Sequence, residues 1–440
     1  MNHMKFNLIA ILIFGLIIQT KLLSQETKKL SVNESIKIGI ENSNLLHSSK
    51  MNVQYTDAKW SEVNTFRLPS FSFNASYTRL SEVAPFIINT PFGSFDIAPS
   101  IFNYYNLQLS LKQPIFTGFK LESSSKMAEY NFLAAKQDYT SEERNLIYNI
   151  KNAYWSLFKA NQIQKVTEEV VVDIQAHLTD VQNLFEQGLA TKNDVLKVKV
   201  QLGEVQLNLI DAKNAVKLAN LSLVNLIGLP ISTNVETTEQ PDKSIAKIED
   251  ISPLLSRAYE NRSELKSMNY RIKAGESGVT AAKSDWWPQI YLVGDYYYSR
   301  PNQRIQPLVD QFNKTWDVGV SLSFSLWNWG ATVDRTDQAE TQLEQAKDAY
   351  KIIRDGITLE VTQNYLNIKK SEERMTVAGQ NVTQAEENYR VTDDKFKNGL
   401  ALNSDLLDAE VALLQAKTDY IQSIVDYELA QAKLNKSIGD

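Results

Sequence analysis

The 440-residue sequence predicts a mainly α-helical chain carrying a membrane β segment, with one structural unit written twice. An internal duplication, helical patterns too long for a globular core, and four segments of alternating apolar and polar residues predict it. The duplication comes first, because a missed repeat misassigns a whole fold. At an offset of 211, Tyr139 recurs as Tyr350, Tyr154 as Tyr365 and Val166 as Val377. The same offset pairs Phe185-x-x-Gly188-Leu189-Ala190-x-x-x-Asp194 with Phe396-x-x-Gly399-Leu400-Ala401-x-x-x-Asp405, and Ile227-Gly228 with Ile438-Gly439. Upstream the offset is 219, relating Glu41-Asn42 to Glu260-Asn261, Pro69 to Pro288 and Tyr77 to Tyr296. The change of eight lies between Tyr77 and Leu111, so one segment there is eight residues longer in the first copy.

Residues 1–24 read as a secretory leader. Lys5 gives a basic start, Phe6 to Ile18 an apolar run too short to span a bilayer, and Leu22-Leu23-Ser24 a cleavage region. Export permits disulfides, yet the chain has no cysteine, so no N-terminal lipid-bearing cysteine is expected either. Removing Lys5 and Lys21 takes the charge from −6 to −8 (44 basic against 52 acidic residues), which argues against a nucleic-acid partner. Only His47 and His177 remain after the leader. With no thiol, phosphate loop or dinucleotide pattern, an enzyme is the least expected class and no metal or cofactor is implied. His177, on a helix among Val171, Ile174 and Val181, reads as a polar-face residue rather than a metal ligand.

The helices follow from period. Ile163, Val166, Val170, Ile174, Leu178, Val181 and Phe185 recur every three or four positions, and no proline falls between Gly118 and Pro230. A helix from about 119 to 184 would be roughly 100 Å long at ~1.5 Å per residue, so it must pack laterally in a coiled coil or tube. A second helix starts near Asn193 and ends at Ile227-Gly228-Leu229-Pro230. The second copy repeats both, from about 332 to 395 and 403 to 438. The chain therefore reads as leader 1–24, first repeat 25–232, a linker or surface excursion at 233–250 and second repeat 251–440. Each repeat runs helix, β-hairpin, long helix, tip turn, long helix.

Four segments alternate at period two, as strands with one apolar face do. Phe71, Phe73, Ala75 and Tyr77 share a face of the first, and Leu107, Leu109 and Leu111 a face of the second. Ile290, Leu292, Tyr296 and Tyr298 share a face of the third, and Trp316, Val318, Val320, Leu322, Phe324 and Leu326 a face of the fourth. The small polar residues opposite, such as Asn106, Gln108, Ser321 and Ser323, fit a wet lumen better than a soluble surface. Five of the seven tryptophans (286, 287, 316, 327 and 329) sit at strand ends, where amphipathic rings favour a membrane interface. Four strands cannot close a membrane barrel, so strands must be pooled between copies of the chain. Two copies would give eight strands and three would give twelve.

This duplicated order, with Gly-Leu at each tip and the turns Pro114-Ile115-Phe116-Thr117-Gly118 and Leu326-Trp327-Asn328-Trp329-Gly330, resembles the TolC-like outer-membrane efflux proteins over essentially the whole mature chain. The resemblance implies a homotrimer: a twelve-stranded outer-membrane barrel continued by a long periplasmic α-helical barrel. It would be a passive export duct for an inner-membrane pump, reached through a periplasmic adaptor. Two alternatives stand beside the efflux duct: the outer-membrane exit of a type I protein secretion system, and a non-channel trimeric surface stalk or adhesin. Gly188 and Gly399 serve the tip turns themselves. The resemblance adds an adaptor-docking role to them and to Leu189, Leu400, Phe185 and Phe396.

Asp405 and Asp408 stand three apart on one helix face. By the resemblance they ring the periplasmic aperture, with Asp194 the first-copy counterpart of Asp405. The alternative for Asp194 and Asp405 is helix N-terminal chemistry, with Asn403 or Ser404 as cap of the second helix. Asp408 corresponds to Lys197, which singles out the second copy. Phe396 lacks a tyrosine hydroxyl and Ala401 stands where an arginine can occur, so closure of the mouth is expected to rest on packing.

Overall fold

The computed structural model describes residues 27–82, 86–98, 100–242, 244 and 248–440. The expected leader lies outside these residues, as do four positions of the expected linker. In chain order the elements are β1 (Thr27–Leu30), α1 (Val32–Asn42), α2 (Asn44–Thr65), β2 (Ser70–Arg79), β3 (Phe86–Thr90), β4 (Gly93–Ala98) and β5 (Asn103–Phe116). There follow α3 (Lys120–Glu186), α4 (Lys192–Leu226), β6 (Asn234–Thr237), α5 (Ile251–Asn261) and α6 (Ser263–Ala282). The chain closes with β7 (Gln289–Arg300), β8 (Asn313–Ser323), α7 (Ala331–Lys397) and α8 (Asn403–Ile438). The long helices α3 and α7 have 67 residues each. Among the described residues no helix is long and apolar enough to cross a membrane.

The described residues form two compact units, each drawing on both copies: those up to Ser48, with Tyr139–Ser263 and Arg354–Asp440, in one, and those within Ser49–Asp138 and Glu264–Ile353 in the other. In the first unit, Leu146, Ile150, Tyr154, Leu157, Leu223, Val224 and Ile227 form a core with Leu30 and Val235. Those last two belong to β1 and β6, which pair in parallel, so part of the expected linker is a strand. The buried Tyr154 hydroxyl donates to the Leu30 carbonyl at 2.9 Å and accepts from the amides of Thr238 (3.0 Å) and Glu239 (3.1 Å). That satisfies backbone groups which such short strands leave open.

The duplicated Glu-Asn and Ile-Gly pairs meet in space within each copy. Gly228 follows α4 at φ +72 and Gly439 follows α8 at φ +86, both in the left-handed region that caps helices. A Cβ on Gly228 would lie 2.7 Å from the Asn42 Cβ, and one on Gly439 2.7 Å from the Asn261 Cβ. Conformation and close approach thus exclude a side chain at both sites.

In the second unit, β2, β5, β7 and β8 form an antiparallel sheet in that order. The register aligns Phe71 with Leu111, Phe73 with Leu109, and Ala75 with Leu107. It continues with Leu109 opposite Tyr296 and Tyr296 opposite Trp316. All four expected apolar faces therefore merge into one. The fourth strand ends earlier than its alternation suggested: Gln289–Ser323 is the last pair, so Phe324 and Leu326 lie beyond β8. The cause is β7, which begins only after a 3-10 turn at Lys283–Trp286 and Pro288, a residue without an amide donor. The eight extra residues of the first copy fall where a separate hairpin, β3–β4, is inserted between β2 and β5.

Each hairpin enters its long helix through two consecutive residues with positive φ. They are Gly118 (φ +63) and Phe119 (φ +67) in the first copy, Trp329 (φ +58) and Gly330 (φ +85) in the second. The glycine has changed places while the backbone path has not. At Gly118 the exchange is blocked, since a Cβ there would lie 2.4 Å from the Ser284 carbonyl oxygen.

Candidate functional site

The two helical hairpins α3–α4 and α7–α8 end in matching turns. Gly188 (φ +75) and Gly399 (φ +72) take the left-handed conformation that the helix cannot supply. The Leu189 amide donates to the Leu184 carbonyl and the Leu400 amide to the Lys395 carbonyl, both at 2.8 Å, closing the last helical turn. Leu189 and Leu400 project outward, 73% and 78% exposed, as an apolar point on each tip. Phe185 is also exposed, whereas its duplicate Phe396 packs on a core of Val170, Ile174, Leu178, Val181, Val198, Leu202 and Val205.

The acids after the tips have distinct settings. Asp194 closes a capping box with Thr191: the Thr191 amide donates to Oδ2 at 2.9 Å and the Asp194 amide to the Thr191 hydroxyl at 3.2 Å. The Thr191 hydroxyl, then its amide, hold the Asp194 carboxyl below its usual range. The cap is therefore formed at neutral pH and lost only as the pH falls through that lowered value. In the second copy the cap is Leu402, not Asn403 or Ser404 as expected. Asp405 reaches back three residues to the Leu402 amide at 3.1 Å, and leucine offers no acceptor in return. Asn403 is instead turned inward, its amide 3.4 Å from the Asp194 carbonyl. Asp408 is exposed and shares a groove between α4 and α8 with Lys197, its opposite-charge duplicate.

His177 is not a polar-face residue. It is 5% exposed, its ring edge-on to Phe396 at 5.2 Å, its Nδ1 3.2 Å from Oε1 of the equally buried Glu410. Its spacing of three from Ile174 and four from Val181, both fully buried, is the signal that places it on the packed stripe. Among the described residues no cluster of three metal-ligating side chains occurs.

On the sheet, the two faces divide as alternation requires. Phe71 (72% exposed), Trp316 (71%), Val320 (70%) and Leu322 (64%) belong to an apolar face that no described residue covers. The opposite face carries a polar network: Gln108 and Ser110 donate to Asp295, and Ser299 to Asn106. Arg304, from the β7–β8 loop, pairs with Asp317 at 2.5 Å and lies over the Tyr297 ring at 4.3 Å. Sequence patterning gave no sign of this loop contact, since Arg304 sits in no periodic segment.

A family model described as outer membrane efflux protein matches residues 36–229 and 254–440. The toxin and drug export protein A of Aggregatibacter actinomycetemcomitans is 24% identical over 322 residues, covering 69% of this chain and 67% of that protein. The alkaline protease secretion protein AprF of Pseudomonas aeruginosa is 23% identical over 339 residues, covering 76% and 69%. Among solved structures, the outer membrane protein VceC from Vibrio cholerae aligns at TM-score 0.78 and 19% identity, over 93% of this chain and 96% of that one.

Proposed function

The chain belongs to the outer membrane efflux protein family, and from that premise we propose that three copies close one twelve-stranded barrel and one helical duct. It is an outer-membrane efflux channel extending into the periplasm, in a family of channels rather than enzymes. One observation supports pooling of strands between copies, and the family resemblance sets their number at three: an exposed apolar face runs across a sheet whose outer strands, β2 and β8, are unpaired on one side among the described residues. Lipid does not tolerate open strand edges, so these must be paired by other copies. The apolar face, including Leu107, Leu109, Leu111, Val318, Val320 and Leu322, then meets lipid, and Asn106, Gln108, Ser321 and Ser323 line the lumen.

The partners proposed are a periplasmic adaptor and an inner-membrane pump. The exposed Leu189 and Leu400, beside Gly188, Gly399 and Phe185, are the surface offered to the adaptor. Phe396 is withdrawn from that surface by its packing, and serves the hairpin core instead. The relatives' names favour two cargo readings, drug efflux and protein secretion. A neighbouring gene for a proton-driven pump supports the first, one for an ATP-driven exporter with a protein substrate the second. The stalk reading falls with the family.

At the mouth, Asp405 and Asp408 of three copies form two rings of carboxylates that concentrate cations. Asp194 and Asp405 also cap their helices, so Asp408 is the acid whose only role is at the aperture. In planar bilayers the purified channel is expected to prefer cations, and Asp405→Ala/Asp408→Ala to weaken that preference. Unchanged preference, with unchanged block by multivalent cations from the periplasmic side, would contradict this reading.

A further inference from the structure

We propose that Arg304 is a specificity-determining residue of the duct, folded back by the β7–β8 loop onto the lumen face, where its guanidinium cancels the charge of the wall. On the duct reading above, this adds to the aperture acids a second point of ion selection, within the barrel. The loop, residues 301–312, is tied along its whole path. Arg300 and Asp310 meet in a two-point fork, Nε to Oδ1 at 2.8 Å and Nη2 to Oδ2 at 3.1 Å. The buried Asn302 side-chain amide donates to the Asn313 carbonyl (3.1 Å) and the Thr315 hydroxyl (3.2 Å). The Ile305 amide closes a turn on the Asn302 carbonyl at 3.1 Å. Phe312 stacks on Tyr298, of the apolar face, at 5.0 Å. Between these anchors the chain reaches the polar face, where Arg304 meets Asp317 and covers the Tyr297 ring.

The polar face of the four strands carries three charged side chains, Lys112, Asp295 and Asp317. Asp295 and Asp317 stand directly opposite each other across β7 and β8, a placement that destabilises the pairing when both charges go unrelieved. Gln108 and Ser110 donate to Asp295. Asp317 is served differently. Its Oδ2 is buried, accepts no hydrogen bond, and meets the Arg304 guanidinium at 2.5 Å. A buried carboxylate oxygen without a donor needs such a counter-charge. The Tyr297 ring, 4.3 Å from the guanidinium, adds a cation–π contact that holds it in place. One lysine against two aspartates leaves a net −1 on this face of each chain, and Arg304 brings it to zero. Three copies therefore present a neutral wall with Arg304 in place and about −3 without it. The guanidinium stays within reach of passing ions, because it borders a hollow of about 570 Å³ lined also by Thr78, Tyr104, Asn106 and Tyr297.

In planar bilayers, Arg304→Gln is expected to raise the cation preference about twofold at ~0.1 M salt, and to lose the difference at ~1 M, where screening acts within ~3 Å. The rise should persist in Asp405→Ala/Asp408→Ala, whose aperture acids are gone. Because the chain has no cysteine, Arg304→Cys can be modified at that position alone. A cationic methanethiosulfonate should return the same channels towards the wild-type preference, and an anionic one should move them further away. An unchanged preference in Arg304→Gln, or equal effects of the two reagents, overturns the assignment. Trypsin supplies a readout that does not depend on conduction. In full-length protein in detergent, Asp317→Asn should speed cleavage after Arg304 about fivefold, the order expected when a half-exposed ion pair is lost. Cleavage there at equal rates in the two proteins overturns the folded-back loop. So does wild-type cleavage as fast as in the denatured chain, even where no variant assembles. A wild-type protein that conducts no ions counts against the duct reading instead, and the tryptic comparison still decides the position of Arg304.

Discussion

Leu109→Arg is expected to cost roughly 2–4 kcal/mol per chain, because it places a charge on the lipid face near the bilayer midplane. Leu109 lies mid-strand in β5, between Phe73 on β2 and Tyr296 on β7, on the face that the protomer leaves uncovered. Leu322 lies on the same face but one residue from the end of β8, close to Trp327 and Trp329 in sequence. Its replacement by Arg should cost less, approaching the 0–1 kcal/mol typical of the interface. Ser321→Arg, on the opposite face, should be mild. Refolding into detergent or lipid, read as assembly yield against denaturant, measures all three. Equal costs for Leu109→Arg and Ser321→Arg would refute the division of faces.

Ile174→Ala should destabilise the tip hairpins by about 2–5 kcal/mol, the range for emptying a fully buried aliphatic site. Ile174 has no exposed surface and packs in the core formed with α4, to which Phe396, Leu407 and Leu414 add from α7 and α8. One cavity there loosens contacts made by both copies, so cleavage by protease near the tips should accelerate at temperatures where the wild type resists. A loss below about 0.5 kcal/mol, the range of ordinary surface substitutions, would mean that this core does not hold the hairpins.

Much of this architecture was legible because the strongest signals are local and repeated. The stripe from Ile163 to Phe185 specifies one helix, and at Gly188 and Gly399 the tip turns take a positive φ that glycine permits. Alternation in four segments fixed which residues share a face, and the eight-residue offset marked where β3–β4 is inserted. What was not legible rests on distant partners. β1 has four residues without alternation and exists because β6 and the Tyr154 hydroxyl complete it. The cap of α8 follows from the reach of Asp405 rather than from the residue type at the cap, where leucine breaks the preference. His177 was readable as buried from its stripe, but its meeting with Glu410 joins residues 233 apart, which periodicity cannot see.

The proposed duct requires that strands from three chains close one barrel. Native mass measurement of the detergent-solubilised protein tests it most directly. A single assembly of three copies is expected, persisting until the detergent denatures the sheet edges. Monomers or dimers alone, in a detergent that preserves channel conductance, would contradict it.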